Sequence, residues 1–259
     1  MSSLNEQGYL YVELSQPRWA WDLNKIAEME LSDSVLALLT TEMKKLPSDL
    51  QLGLKVCSCI GSCVQYQVID ILAEDLNMDL KAILQQISQK GFMNDKAGSA
   101  TFHFVHDKIQ QAAYELMLEQ ERREHQMSIG LALCSHAMGS HGGAGATDEL
   151  FFLSINLINR GGVEMVYDPS QKSLIASLNL RAGKQAIGLS DCNTAFKLFE
   201  HGISFLGSDH WTTDYKLSIE LFEASAECAS LLNKSEEVKL YSENVLSNAN
   251  CFDDKVNCE

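Results

Sequence analysis

The stretch Thr101-Phe102-His103-Phe104-Val105-His106-Asp107-Lys108-Ile109-Gln110-Gln111-Ala112-Ala113-Tyr114 changes its hydrophobic period in the middle. Phe102 and Phe104 alternate with His103 and Val105, the two-residue period of a strand with one buried face. Ile109, Ala112, Ala113, Leu116 and Met117 then recur at the three- and four-residue spacing of an amphipathic helix. A strand therefore runs into a helix at His106-Asp107. Just upstream, Gly91-Phe92-Met93 supplies a second strand and Asn94-Asp95-Lys96-Ala97-Gly98-Ser99 the turn between them. These signals coincide nowhere else as well, so a mainly α chain with one small β-hairpin is predicted.

Working outward, Ser32 or Asp33 can cap a helix over 34–46 with Val35, Leu38, Leu39 and Met43 on one face, stopped by Pro47. A second helix fits 48–60, with Leu50, Leu54, Val56 and Cys57 inside and Gly61 at its end. Short helical patterns over 68–72 and 80–87 flank Asn77-Met78-Asp79. Several short helices followed by a hairpin have the composition of a winged-helix module, here read over 32–138 and closed by helices from His106 and over 124–138. Residues 1–31, with Trp19-Ala20-Trp21-Asp22-Leu23 and then Ile26, Met29 and Leu31, have the spacing of a domain end. The Gly- and Ala-rich run at 139–148 reads as a flexible linker.

Over 149–259 the helical patterns suggest a tetratricopeptide-like α-solenoid, in which small residues mark where paired helices approach. Gly183, Ala195, Phe199 and Gly202 fit one unit, and Ala226, Val238, Ser242 and Val245 fit a second more loosely. Their separation exceeds the 34 residues or so of that repeat, so the run Asp209-His210-Trp211-Thr212-Thr213 is expected to extend the joint. An earlier pair would lie between Glu149 and Leu174.

Lys and Arg number 20 against 35 Asp and Glu, a formal charge of −15 and a pI near 4.8. Nucleic-acid binding needs clustered cations, and the longest basic runs are the pairs Lys44-Lys45 and Arg122-Arg123; no nucleic-acid partner is expected. No apolar run approaches the ~18 residues of a membrane span, and the N-terminus has no secretory pattern, so a cytoplasmic setting with no membrane insertion is expected. Eight cysteines are too sparse for a disulfide scaffold and read as reduced thiols.

The phosphate-loop pattern with its Lys-Ser/Thr does not occur, nor do the dinucleotide fingerprint, the zinc-protease helix, the EF-hand loop or the nucleophile elbow. Cys57, Cys59 and Cys63 fall within seven residues, but a Cys-x-Cys on a helix points its thiols apart, and the three read as small core and turn residues. His103 and His106 have no third ligand nearby in sequence, and the 119–124 run of Glu, Gln and Arg reads as a solvated helical turn.

The run from Phe102 to Tyr114 resembles a signature of large signalling proteins. In these a protein-kinase-like domain precedes a STAND-type AAA ATPase, followed by tetratricopeptide-like helices and often GAF and histidine-kinase domains. Trp19-Ala20-Trp21-Asp22-Leu23, Leu46-Pro47, Cys59-Ile60-Gly61, Asn179-Leu180-Arg181-Ala182-Gly183-Lys184 with Ala186, and Asp253-Asp254-Lys255-Val256 agree with it in order. That family places its nucleotide-binding core before the tryptophan pair. The resemblance thus implies that 1–31 are terminal lid helices of a missing AAA domain, and that the chain is a piece of a longer protein.

Val105-His106-Asp107 also resembles the Met-His-Asp motif of NB-ARC members of the STAND class, where the histidine reaches the phosphates of bound ADP. By that resemblance His106 would sense nucleotide. Asp107 with Gln110 three residues later has the form of a helix capping box, a reading compatible with the first. The resemblance implies a non-catalytic regulatory and interaction segment that couples nucleotide state to partner binding. No cofactor is expected in this chain, and ATP or ADP with Mg only if the upstream core is present. Expected partners are proteins or neighbouring domains of the same polypeptide. The alternatives are a free-standing helical adaptor and an enzyme with an unrecognised active site.

Overall fold

The computed structural model describes residues 10–13, 18–21, 31–96, 98, 100–139 and 144–250. Contacts divide the chain into two compact units, one of Met1–Tyr66 with Asp79–Leu118 and the other of Gln67–Met78 with Glu119–Glu259. The division therefore falls at Leu118, upstream of the 138–139 boundary expected from the glycine tract.

In the first unit, β1 (Leu10–Glu13) pairs antiparallel with β2 (Arg18–Trp21), Leu10 opposite Trp21 and Glu13 opposite Arg18. Of the expected lid helices, the described part is thus a hairpin; the other residues before Leu31 lie outside the described residues. Tyr9-Leu10-Tyr11-Val12 and Trp19-Ala20-Trp21 are rich in β-favouring residues, which suits a hairpin. Helix α1 (Leu31–Lys44) starts before Ser32 and Asp33, which lie in its first turn rather than capping it. Of its predicted inner face only Met43 is fully buried, and Val35 is 40% exposed. Helix α2 (Ser48–Ile60) has the predicted bounds, Pro47 preceding it and Gly61 ending it at φ +159°. It packs on α4 (Leu80–Gln89) at Gly53, where a Cβ would come within 2.7 Å of the Ile83 Cγ2 methyl. The carboxylate of Asp79 caps α4 by accepting from the Ala82 N–H at 3.0 Å.

The second sheet of this unit, at the predicted hairpin, has three strands, one more than the hairpin supplies. β3 (Cys63–Gln65) pairs antiparallel with β5 (Thr101–Phe104), and β4 (Met93–Lys96) covers the other side of β5, giving the order β3–β5–β4. Phe102 stands opposite Val64 and Asp95, and His103 opposite Cys63 and Asn94. Phe102 and Phe104 are buried, as their period requires. Helix α5 (Asp107–Glu115) then leaves the sheet and packs on α1 and α2.

The second unit takes α3 (Tyr66–Leu76) from its second residue, then α6 (Glu119–Gly139) and α7 (Ala144–Gly161). Helix α6 begins five residues earlier than predicted. The expected linker narrows accordingly, since helix reaches Gly139 and resumes at Ala144; residues 140–143 lie outside the described residues. The helix within 149–174, α7, instead pairs with α6 upstream of that region. After a 3-10 turn (Val163–Met165) come α8 (Pro169–Gly188), α9 (Cys192–Phe205), the single turn α10 (His210–Thr213), α11 (Tyr215–Leu231) and α12 (Ser235–Asn248). Helices pair as α8 with α9 and α11 with α12, and α11 packs on both members of the preceding pair. No helix among the described residues is long and apolar enough to cross a membrane.

Candidate functional site

The strand-to-helix corner at His106 is built from the sheet. Phe104 donates its N–H to the Ser62 carbonyl at 3.0 Å and Val105 to the Phe92 carbonyl at 3.1 Å, so both neighbours of β5 grip the chain up to the corner. Val105 is 47% exposed. His106 is extended (φ −154°, ψ 147°) and is itself the N-cap of α5, its Nδ1 accepting the Lys108 N–H at 3.0 Å. An accepting Nδ1 carries no hydrogen, so the neutral ring keeps its proton on Nε2, the exposed nitrogen left to donate. Asp107 occupies the first helical turn, where a carboxylate suits the positive end of the helix dipole. Gln110 does not reach back to close a capping box. Its amide donates to the Ser58 carbonyl at 3.4 Å, tying α5 to α2. The cap thus shifts one residue from the expected Asp107 to His106, because an imidazole nitrogen replaces the usual side-chain oxygen.

The cysteines near this corner are divided. Cys57 and Cys59 are buried in α2, with burial first and Cys59 second pushing the Cys57 thiol up to about 12, while Cys63 is exposed on β3. Among the described residues, no three His, Cys, Asp or Glu side chains gather to hold a metal ion.

The residues predicted to pack the helical pairs are brought together in the second unit. A Cβ on Gly183 would lie 2.2 Å from Phe199 Cε1, and one on Gly202 would lie 2.7 Å from Leu221 Cδ2 and 3.3 Å from the Ala176 carbonyl. Gly183 thus sets how closely α8 meets α9, and Gly202 sits where α9 meets α8 and α11. Ala195, Phe199 and Ala226 belong to the same buried core. Both helices of the first pair carry aspartate caps: Asp168 accepts from the Ser170 N–H and hydroxyl, and Asp191 from the Thr194 N–H. Those hydrogen bonds hold both carboxyls below the ordinary carboxylate value. Lys184 pairs with Glu220 of α11 at 2.7 Å on the exposed face.

Three features of this unit had no sequence signal strong enough to select them. Tyr241 is buried edge-on against Phe196 and Phe222, its hydroxyl 3.3 Å from a Glu200 carboxylate oxygen. Asn159 and Asn179 exchange reciprocal amide hydrogen bonds of 2.8 and 3.0 Å across α7 and α8, with Asn179 fully buried. At the predicted long joint, the His210 ring stacks on Phe222 and its Nδ1 lies 2.8 Å from the buried Ser218 hydroxyl. Asp214 spends its carboxylate on Ser173 of α8 and on Thr213. The aromatic and hydroxyl residues at 209–218 were visible in the sequence, but only tertiary packing joins them.

The similarity is to a segment of a signalling protein. The chain is 21% identical, over an alignment of 303 residues covering 96% of it, to hybrid signal transduction histidine kinase G of Dictyostelium discoideum. It spans 9% of that protein's length. No family model and no solved structure matches the chain.

Proposed function

We propose that this chain is a regulatory and protein-interaction segment of a STAND-type signalling ATPase or kinase, and that it carries no catalytic site of its own. The observation that carries this reading is the order of elements before the helix pairs. Helix α2, strand β3, helices α3 and α4, and strands β4 and β5 follow one another, with sheet order β3–β5–β4, and deliver the chain to His106 immediately before the helical region. That succession supports a winged-helix reading, and the small residues at the contacts of the pairs α8/α9 and α11/α12 support a tetratricopeptide-like one. The similarity to a histidine kinase supports a signalling context.

In this reading His106, with its proton fixed on Nε2 by the cap, donates to an anionic phosphate of a nucleotide held by a core outside this chain, with Mg supplied by that core. The helical pairs hold protein partners or neighbouring domains. Retention of ADP tests it, in a polypeptide that joins this chain to a STAND nucleotide-binding core. His106→Asn keeps a capping acceptor for α5 but removes the imidazole Nε2–H. It is expected to release ADP during gel filtration where the parent retains it, with the melting curve of the nucleotide-free protein little changed. Unaltered retention defeats the sensing role.

A further inference from the structure

The second unit contains a groove that the helical-pair reading does not use. One face of α3, with Ile71, Glu74 and Asp75 at i, i+3 and i+4, and one face of α6, with Leu131, Ala132 and His136, line an open depression of about 580 Å³. Ile71 is buried, and Leu131 and Ala132 are half-buried, so the floor is apolar. The rim on α3 is acidic. Glu74 and Asp75 are exposed, and neither carboxylate has an ion-pair or hydrogen-bond partner among the described residues. Several other acids of this unit are paired, Glu119 with Arg123, Glu220 with Lys184, and Glu237 with Lys234. An apolar floor beside two unpaired carboxylates, in a chain of net charge −15, is complementary to one kind of occupant. That occupant has apolar side chains on one face and cations at its edge.

We infer that the groove between α3 and α6 docks a basic amphipathic helix of a partner protein, its apolar face seated on Ile71, Leu131 and Ala132 and its Lys or Arg residues paired with Glu74 and Asp75. A helix presents both kinds of group at the spacing the groove offers, since anchors at i, i+3 or i+4 and i+7 lie on one stripe while flanking cations stand at its border. This site is separate from His106 and from the surfaces of the α8/α9 and α11/α12 pairs, so it stands or falls apart from the nucleotide-sensing reading.

The probe is a fluorescein-labelled peptide of about fourteen residues with leucines on one helical stripe and lysines flanking it, titrated with the full chain by fluorescence anisotropy. A scrambled peptide of the same composition controls for general attraction to an acidic protein. Saturable binding of the amphipathic peptide, weakened about tenfold or more by E74K/D75K and by Leu131→Asp, is the expected result. E236K/E237K makes the same change of net charge on α12, at the cost of the Lys234–Glu237 ion pair, and is expected to leave binding within about twofold. Circular dichroism melting confirms that each variant folds; E74K/D75K, at exposed positions, decides the question if Leu131→Asp does not fold. No saturable binding, equal binding of the scrambled peptide, or equal weakening by E236K/E237K overturns the proposal.

Discussion

The two helix pairs at the C-terminal end are built differently, although they share one core. In α8/α9, glycines at 183 and 202 let backbone approach side chains, and both helices are capped by aspartates. In α11/α12 neither helix has a side-chain cap bond, and the filling group is a large one, Tyr241, wedged between Phe196 and Phe222. The first pair is specified by local rules, and the second depends on the first for its packing surface. The distinction makes the α8/α9 contact the more intolerant of added volume.

The largest expected effect follows from the closest approach. Gly183→Val places methyl groups where Phe199 already stands, and we expect a loss of about 3 kcal/mol or more in denaturant unfolding. Gly188→Val, at the end of the same helix with open space around its Cβ, is expected to change stability far less. Equal losses would mean that helix propensity, not the α8–α9 contact, sets the result. Ala195→Leu, at a fully buried site on α9, is expected to cost about 1–3 kcal/mol. An unchanged midpoint would show that this position can repack.

Acid should separate the joint from the caps. Burial lowers the His210 imidazole below its ordinary value, with Asp214 partly opposing. For a base lowered on folding, stability is fully present above the unfolded value of ~6.5 and is lost as pH falls below it toward the folded value. The Asp168 and Asp191 carboxyls are lowered too, but for an acid the stabilising contribution persists down to about pH 4 and is lost as pH falls further through the folded value. Loosening of α11 and α12 in hydrogen exchange is therefore expected to begin as pH falls below about 6.5, while the Asp168 and Asp191 caps hold down to about pH 4. Burial lowers the His201 imidazole of α9 as well, with Glu200 partly opposing, so α9 contributes to the same transition. His210→Phe, which keeps the stacking and removes the titration, should remove the loosening of α11 and α12 but not that of α9. Unchanged loosening of α11 and α12 in this variant would contradict the assignment.

The same contrast explains what could be read in advance. Helix α2 was legible to the residue because Pro47 and Gly61 punctuate it, and the α8/α9 contact was legible because small residues at fixed offsets leave a local pattern. The strand Cys63–Gln65 was not, since three residues are too few to show a period and the strand exists only by pairing with β5. The break between α5 and α6 at Leu116–Leu118 has neither Gly nor Pro to announce it. Tyr241 lies off the small-residue offsets, and its burial depends on rings contributed by α9 and α11. At the candidate site the position of His106 at a strand-to-helix corner was readable, but the use of its Nδ1 as the cap depends on the ring's orientation.

The most direct test of the account is whether the chain itself binds or turns over ATP. Purified to constant specific activity, the chain should show no magnesium-dependent release of phosphate from ATP and no saturable ATP binding in calorimetry, as expected of a regulatory segment without a phosphate-binding loop. ATP turnover that co-elutes with the chain and persists through further purification would contradict it.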